Sequence, residues 1–156
     1  MECTFDSAAV TARIHARSER RGACFIWTGA LAKNGYGYMS VNNKVQPVHR
    51  LAYLASHGFI PDGQDIDHVC FNRACVEPSH LRAVTRKQNM EHLRGAYVTS
   101  KTRVRGVSYW ETRKAYVAEV THHGKRVYRG YFSTLEEAEA TVKAERARLF
   151  THDDAR

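Results

Sequence analysis

Residues 24–29, CFIWTG, open with consecutive apolar positions closed by Thr28 and Gly29, the pattern of a short buried strand. After the Asn34-Gly35 turn pair, YGYMSV alternates apolar with polar or small positions, and Asn42-Asn43 marks the next turn, so a hairpin is expected. VHRLAYLASHG then reads as a short helix closed by Gly58, with Pro61-Asp62-Gly63 as a turn. A short strand is expected over residues 65–69, followed by a loop through two cysteines. A helix follows near TRKQNMEHLRG, capped at or just before Thr85 and ended by Gly95.

AYVTSKTR reads as a linker. Beyond it, VRGVSYW, AYVAEVTHH and KRVYRGYF predict three short strands, with a tight turn at His123-Gly124. STLEEAEATVKAERARLF predicts a helix. Its capping box is Ser133 with Glu136 or Thr134 with Glu137, and Leu135, Ala138, Val142 and Leu149 form its apolar stripe. The opening MECTFDSAAVTARIHARSERR carries no apolar signal core and reads as a short amphipathic helix of a cytosolic protein. The expected organisation is α+β: an N-terminal helix over 1–22, a Cys/His-containing domain over 23–97, and a three-stranded antiparallel sheet packed on one helix over 103–150.

Composition narrows the partners. At 156 residues and 43% hydrophobic, the chain is a folded protein of one ordinary or two small domains. A net charge of +8 favours acidic partners, nucleic acid before membrane, and no apolar run approaches the roughly 20 residues of a membrane span. The charge is unevenly spread. Residues 101–132 carry eight Lys and Arg against two Glu, whereas residues 133–150 carry four Glu against three basic residues. A uniformly solvated surface would not segregate charge in this way, so the sheet is expected to face phosphates with the helix behind it.

The densest chemistry lies in DIDHVCFNRACVEPSH, residues 65–80, with two Cys, two His and three carboxylates. Cys70, Cys75 and His80 recur at intervals of five, with Pro78 shaping the loop. Two thiolates and an imidazole on a short loop suit tetrahedral Zn²⁺, and Cys24 is the Cys of the same region that can complete the set. The bland alternative is a pair of buried free thiols and a surface histidine. His68 does not belong to that set, although strand alternation would put it on one face with Cys70. Asp67 beside it and Asn89 on the following helix offer hard oxygen ligands suited to Mg²⁺ or Mn²⁺, while imidazole is the usual general base near neutral pH. Such a set could deprotonate water while a metal stabilises the leaving oxygen of a phosphodiester.

The DH pair in a strand, a zinc cluster and then Asn89 in a helix resemble the ββα-metal motif of HNH endonucleases. The spacing of His68, Cys70, Cys75, His80 and Asn89 is similar to the His-Cys box of homing endonucleases, and the DH…N pattern resembles phage intron-encoded HNH nicking enzymes. The resemblance implies that His68 is the general base, Asn89 a ligand of the catalytic Mg²⁺ or Mn²⁺, and Asp67 a second ligand. It also implies a structural zinc and products carrying 5′-phosphate and 3′-hydroxyl ends. The middle position departs from the common pattern, with His80 in place of Asn. His49-Arg50 resembles the upstream HR of phage HNH proteins, where the Arg holds the scissile phosphate; Arg50 as an ordinary helix surface residue is the other reading.

Residues 103–150 carry a second resemblance, through RGVSYW, AYVAEV, RVYRGYF and TLEEAEA, to the DNA-binding domain of plant ethylene-response factors, a sheet-plus-helix unit also found appended to phage HNH nucleases. That resemblance implies a sheet in the major groove, with Arg105, Trp110, Arg113, Lys114, Arg126, Tyr128 and Arg129 as candidate DNA contacts and Phe132 packed under the helix. The expected function is a homing-like HNH DNA endonuclease, acting on double-stranded DNA as monomer or homodimer in the cytoplasm of a phage-infected bacterium. The alternative from another class is a non-catalytic, zinc-containing DNA-binding regulator.

Overall fold

The structure, a computed structural model, describes residues 6–93, 95–96 and 99–152; Cys3, to which the sequence assigns no role, lies outside them. The chain divides into two compact units, Met1–Arg86 and Lys87–Arg156.

The first unit begins with α1 (Ser7–His15), whose Asp6 side chain accepts from the Ala9 amide at the N-terminus. The expected N-terminal helix is thus only nine residues long. Residues Ser18–Arg21 form a strand, β1, paired antiparallel with β2 (Cys24–Trp27). Ser-Glu-Arg-Arg has no apolar alternation because β1 is an exposed edge, so nothing in its side chains announces it. The expected hairpin is β3 (Tyr38–Val41) and β4 (Lys44–Pro47), joined through Asn42 and Asn43 at φ 51° and 59°. Two positive φ values in a two-residue loop are the type I′ pattern that matches strand twist. Next, α2 (Val48–His57) is closed by Gly58 at φ 82°.

Two further strands, β5 (Asp65–His68) and β6 (Leu81–Val84), pair antiparallel in the register Asp65↔Val84, Ile66↔Ala83, Asp67↔Arg82 and His68↔Leu81. A 3-10 turn over Pro78–His80 leads into β6. The core gathers Val10 and Ile14 of α1, Trp27, Met39, Val41, Val48 and Leu51 of α2, Ile66, Val76 and Leu81. Trp27 sits so close to Gly29 and Gly37 that a Cβ at either would lie 2.5 Å from its indole. The final short helix, α3 (Arg86–Glu91), crosses the boundary: from Lys87 onward it groups with the second unit.

The second unit holds a three-stranded antiparallel sheet, β7 (Val107–Trp110), β8 (Ala115–His122) and β9 (Lys125–Phe132), in the order β7-β8-β9. The helix α4 (Leu135–Leu149) follows, with Thr134 as N-cap accepting from the Glu137 amide. Its expected stripe is the buried one: Leu135, Ala138, Val142 and Leu149 pack with Val107, Ala118, Val120, Tyr116, Tyr128 and Phe132. Gly130 leaves the space in which the Tyr128 and Phe132 rings meet, since a Cβ there would lie 2.5 Å from the Tyr128 hydroxyl. A bulge opposite Val120/Thr121 shifts the register, pairing Val120 with Tyr128 but Thr121 with Arg126. Among the described residues, no helix is long and apolar enough to cross a membrane.

Candidate functional site

Backbone pairing assembles the first cluster. Residues 74–76 lie against β2: the Trp27 amide donates to the Ala74 carbonyl at 2.8 Å, and the Val76 amide to the Phe25 carbonyl at 2.7 Å. That pairing brings Cys75 to Cys24. On the other side, the Val69 amide donates to the His80 carbonyl at 2.9 Å, extending the β5–β6 ladder and bringing Cys70 to His80. The loop between them reverses on Phe71, at φ 58°, and on Asn72, whose side chain accepts from the Ala74 amide. Cys70 therefore leaves the strand just after His68, and the expected strand-face pairing of these two side chains gives way to a turn.

The result is a Cys₃His cluster: one ligand atom each from Cys24, Cys70, Cys75 and His80, all within 4.8 Å of one another. The His80 Nδ1 lies 3.6 Å from both the Cys24 and the Cys75 Sγ. Zn–S of about 2.3 Å and Zn–N of about 2.0–2.1 Å at a tetrahedral angle put S and N roughly 3.6 Å apart, so the spacing of His80 from these two thiols is that of a tetrahedral zinc site. Burial pushes the Cys70 thiol up to about 12 and raises Cys24 as well, and a bound cation reverses this preference by deprotonating its thiols. The four residues picked out in the sequence are the four brought together.

His68, only 4% exposed, stands at the end of β5 beside this cluster. Its Nε2 lies 3.0 Å from the Cys75 carbonyl. A carbonyl only accepts, so Nε2 carries the hydrogen and Nδ1 is the basic nitrogen. Burial lowers its pKa from the ordinary imidazole value, opposed by the Cys75 carbonyl and Asp67 and reinforced by Arg73. His49 of α2 packs beside it with ring centroids 4.9 Å apart, and Tyr36 completes a three-ring cluster at 5.0 Å from His49 and 5.8 Å from His68. Burial first, then His68 and Arg50, pull the His49 pKa down to about 3, so His49 is a neutral ring near neutral pH.

Two residues here were not singled out in the sequence. Tyr36 is one. Arg73 is the other: its guanidinium lies 5.5 Å from the Tyr36 ring centroid and donates to the Asn34 carbonyl at 2.9 Å. It adds a second cation to the Arg50 that the HR pair offered. A tyrosine in a hairpin and an arginine in a turn give no sequence signal; only the fold makes them neighbours of His68.

Asp67 alternates with His68 along β5 and pairs across the ladder with Arg82, whose Nε lies 3.0 Å from Oδ2. Asn89 is on α3, within the second unit.

On the sheet of the second unit, the face away from α4 carries an interleaved set of aromatic and basic side chains. Arg113 lies 4.5 Å from the Trp110 ring centroid and 5.5 Å from that of Tyr131; Arg129 lies 5.7 and 5.3 Å from the same rings. Glu119 sits among them, 3.0 Å from Arg126 and 3.2 Å from Arg129. Lys114, exposed at φ 48°, ends the adjoining 3-10 turn. Tyr128 is not on this face: it shares the side of Phe132 and packs toward α4. Arg105 is elsewhere too, its guanidinium donating to the carbonyls of Met90, Glu91 and Leu93.

Comparison with known proteins bears on the first region. Residues 46–91, which include His49, His68, three of the four cluster residues and Asn89, match the family described as HNH endonuclease. Over 70 residues the chain is 37% identical to Protein 7.7 of Escherichia phage T7, a match covering 45% of this chain and 54% of that protein. It is 38% identical over 42 residues to the uncharacterized gene 5.3 protein of Enterobacteria phage T3, covering 27% and 42% respectively. A third match, 37% over 68 residues, is to Protein 2.8 of Escherichia phage T7, covering 42% of this chain and 45% of that one. The chain thus spans about half the length of these curated relatives. No solved structure matches it.

Proposed function

We propose that the chain is a divalent-metal-dependent DNA endonuclease of HNH type, with a structural zinc at Cys24, Cys70, Cys75 and His80. The observation that carries this reading is His68: a buried imidazole with its Nε2–H committed to the Cys75 carbonyl, in a segment that matches an HNH endonuclease family. A base fixed in one tautomer, kept below the ordinary imidazole pKa, is neutral and able to take a proton at physiological pH. Nδ1 accepts the proton of the attacking water. Asp67 and Asn89 are the residues that would hold Mg²⁺ or Mn²⁺, and the ion would supply charge stabilisation for the leaving oxygen. Arg50 and Arg73 supply positive charge for the scissile phosphate. The products carry 5′-phosphate and 3′-hydroxyl ends.

In the same proposal, the aromatic and basic face of the second unit holds double-stranded DNA. Trp110, Arg113, Arg126 and Arg129 provide ring surface and cations for backbone and base edges, with Lys114 at the margin. One observation favours the rival reading, a zinc-containing DNA-binding regulator without catalysis: the Asp67 carboxylate is already engaged by Arg82.

Supercoiled plasmid decides between them. Nicked or linear product is expected with Mg²⁺ and none with EDTA, restored by further Mg²⁺. His68→Ala should retain zinc and DNA affinity while losing about 10²–10⁴-fold in rate, the usual contribution of a general base. Cleavage by His68→Ala at the wild-type rate would remove His68 from the chemistry. A wild-type protein that binds DNA but never cuts it, with Mg²⁺ or Mn²⁺, would establish the regulator.

A further inference from the structure

Arg105 lies after the linker, in a segment whose basic charge suggests phosphate contact, yet its side chain is spent on protein. One Nη1 donates to the Glu91 carbonyl at 2.7 Å and the Leu93 carbonyl at 3.2 Å, and Nη2 donates to the Met90 carbonyl at 2.8 Å. Met90 and Glu91 are the last two residues of α3. The final carbonyls of a helix have no intrahelical partner and carry the negative end of its dipole, so a cation with several N–H donors is the group they call for. At six residues, α3 is far shorter than a helix that persists by itself in water, so its order depends on what grips it.

A second grip comes from the far end of the chain. The Thr151 amide and hydroxyl both donate to the Glu91 Oε2, at 3.1 and 3.2 Å, and Lys87 pairs with Oε1 at 2.6 Å. Arg105 is itself braced, because Arg146 of α4 donates to the Arg105 carbonyl at 3.1 Å, and the Phe150 ring lies 5.6 Å from its guanidinium. All of these residues belong to the unit that begins at Lys87.

We infer that Arg105 is a positioning residue: it fixes the C-terminal end of α3, and through α3 it orients Asn89, two residues from the end of that helix. This rests on the proposed role of Asn89 as a ligand of the catalytic divalent ion. It changes the division of labour suggested by the order of the chain. The segment beyond the linker does not only hold DNA; part of it holds the helix that carries a metal ligand. Truncation near residue 100 would remove Arg105 and Thr151 together, two of the groups that hold the C-terminal end of α3, even though the zinc cluster lies wholly within the first unit.

The test uses the full chain with Arg105→Ala and Arg105→Lys. Four quantities are measured: zinc content, DNA affinity by anisotropy without Mg²⁺, amide exchange of residues 86–93 by mass spectrometry, and single-turnover cleavage at saturating DNA across a Mg²⁺ series. Removing a group that orients a metal ligand typically costs roughly 10–100-fold in metal affinity or activity. Arg105→Ala should therefore keep its zinc and its DNA affinity within about twofold, exchange faster across α3, and need roughly 10–100-fold more Mg²⁺ or lose that factor in rate. Arg105→Lys, which keeps the charge and loses the fork, should recover part of both effects. Weakened DNA binding with an unchanged Mg²⁺ profile and unchanged α3 exchange would make Arg105 a DNA contact and overturn the inference. Loss of zinc in both variants would also overturn it, by showing a general structural role. If the wild-type protein does not cleave with any divalent ion, the nuclease reading itself falls, and the role inferred for Arg105 falls with it. A cleaving wild type matched by Arg105→Ala refutes the positioning role alone.

Discussion

His49 should make the protein acid-sensitive by an amount that can be worked out in advance. Its ring is 8% exposed and packs between Tyr36 and His68, and its Nδ1 has no hydrogen-bond partner among the described residues. Folded, it titrates at about 3; unfolded, at the ordinary imidazole value of 6.5. Between those values the unfolded chain binds the extra proton, so stability falls as pH falls. The contribution is complete above about pH 6.5 and declines as pH drops toward 3. Between pH 8 and pH 5 the difference in proton binding is worth about 2 kcal/mol from this one group. The perturbation is His49→Phe, which keeps a ring against Tyr36 and His68 but cannot titrate. Urea denaturation of both proteins at pH 8, 6.5 and 5, with zinc in excess, isolates the effect. Other groups titrate in both proteins, so the wild type should lose about 2 kcal/mol more than the variant over this range. Equal losses would show that the His49 ring accepts a proton in place, and that its burial does not exclude charge beside His68.

The proposed zinc site makes a larger prediction. Cys75→Ser should lose about one bound zinc per chain by elemental analysis, and the first unit should unfold. Apparent structural zinc binding is worth roughly 10–16 kcal/mol, comparable to or above the whole stability of an ordinary domain. A zinc-free protein that stays folded would refute the assignment. On the sheet of the second unit, Arg113→Ala and Arg129→Ala should each weaken DNA binding and reduce the slope of log K against log salt by about one for each phosphate no longer neutralised. Glu119→Gln should act in the opposite sense, tightening binding severalfold by anisotropy, because it frees Arg126 and Arg129 from a carboxylate within the same face.

What the sequence made legible follows from which forces act locally. The hairpin at Asn42-Asn43, the Gly58 helix end and the Thr134 cap are decided by backbone conformation and neighbouring groups, so a few residues announce them. The Cys₃His set is legible because soft donors at short spacing have few other uses, although Cys24 stands far from the others in the chain: it reaches the cluster through pairing of β2 with residues 74–76. The β1 edge strand was not readable, because pairing through the backbone leaves no mark on Ser18, Glu19, Arg20 and Arg21. Side-chain partners were harder still. Tyr128 shares its face with Phe132 by simple alternation, but the bulge at Val127 sends Arg126 to the other side, so a single parity rule fails along β9. The partners of Arg105 are hidden for a different reason. Charge segregation identifies a basic segment, and nothing in that count separates a cation facing solvent from one capping a helix.

Cys75 ties the two chemistries of the 65–80 stretch together. Its Sγ belongs to the Cys₃His cluster, its carbonyl accepts from the His68 Nε2, and its backbone bridges to Ile26 of β2. With no carbonyl at that spot, either nitrogen of a neutral imidazole can carry the hydrogen. Fixing the carbonyl removes that freedom. The carbonyl is in turn fixed by the turn that delivers its own side chain to the cluster: the Cys75 amide donates to the Asn72 carbonyl at 3.0 Å, and the amides of Trp27 and Val76 lock the neighbouring residues to β2. A structural ion is usually discussed as a source of folding energy for a domain with a modest core. Here the candidate ligand residue is also the tautomer-setting residue. If His68 is the base we propose, stabilising the loop and setting its tautomer are one structural requirement, which accounts for the crowding of these residues into one sixteen-residue stretch.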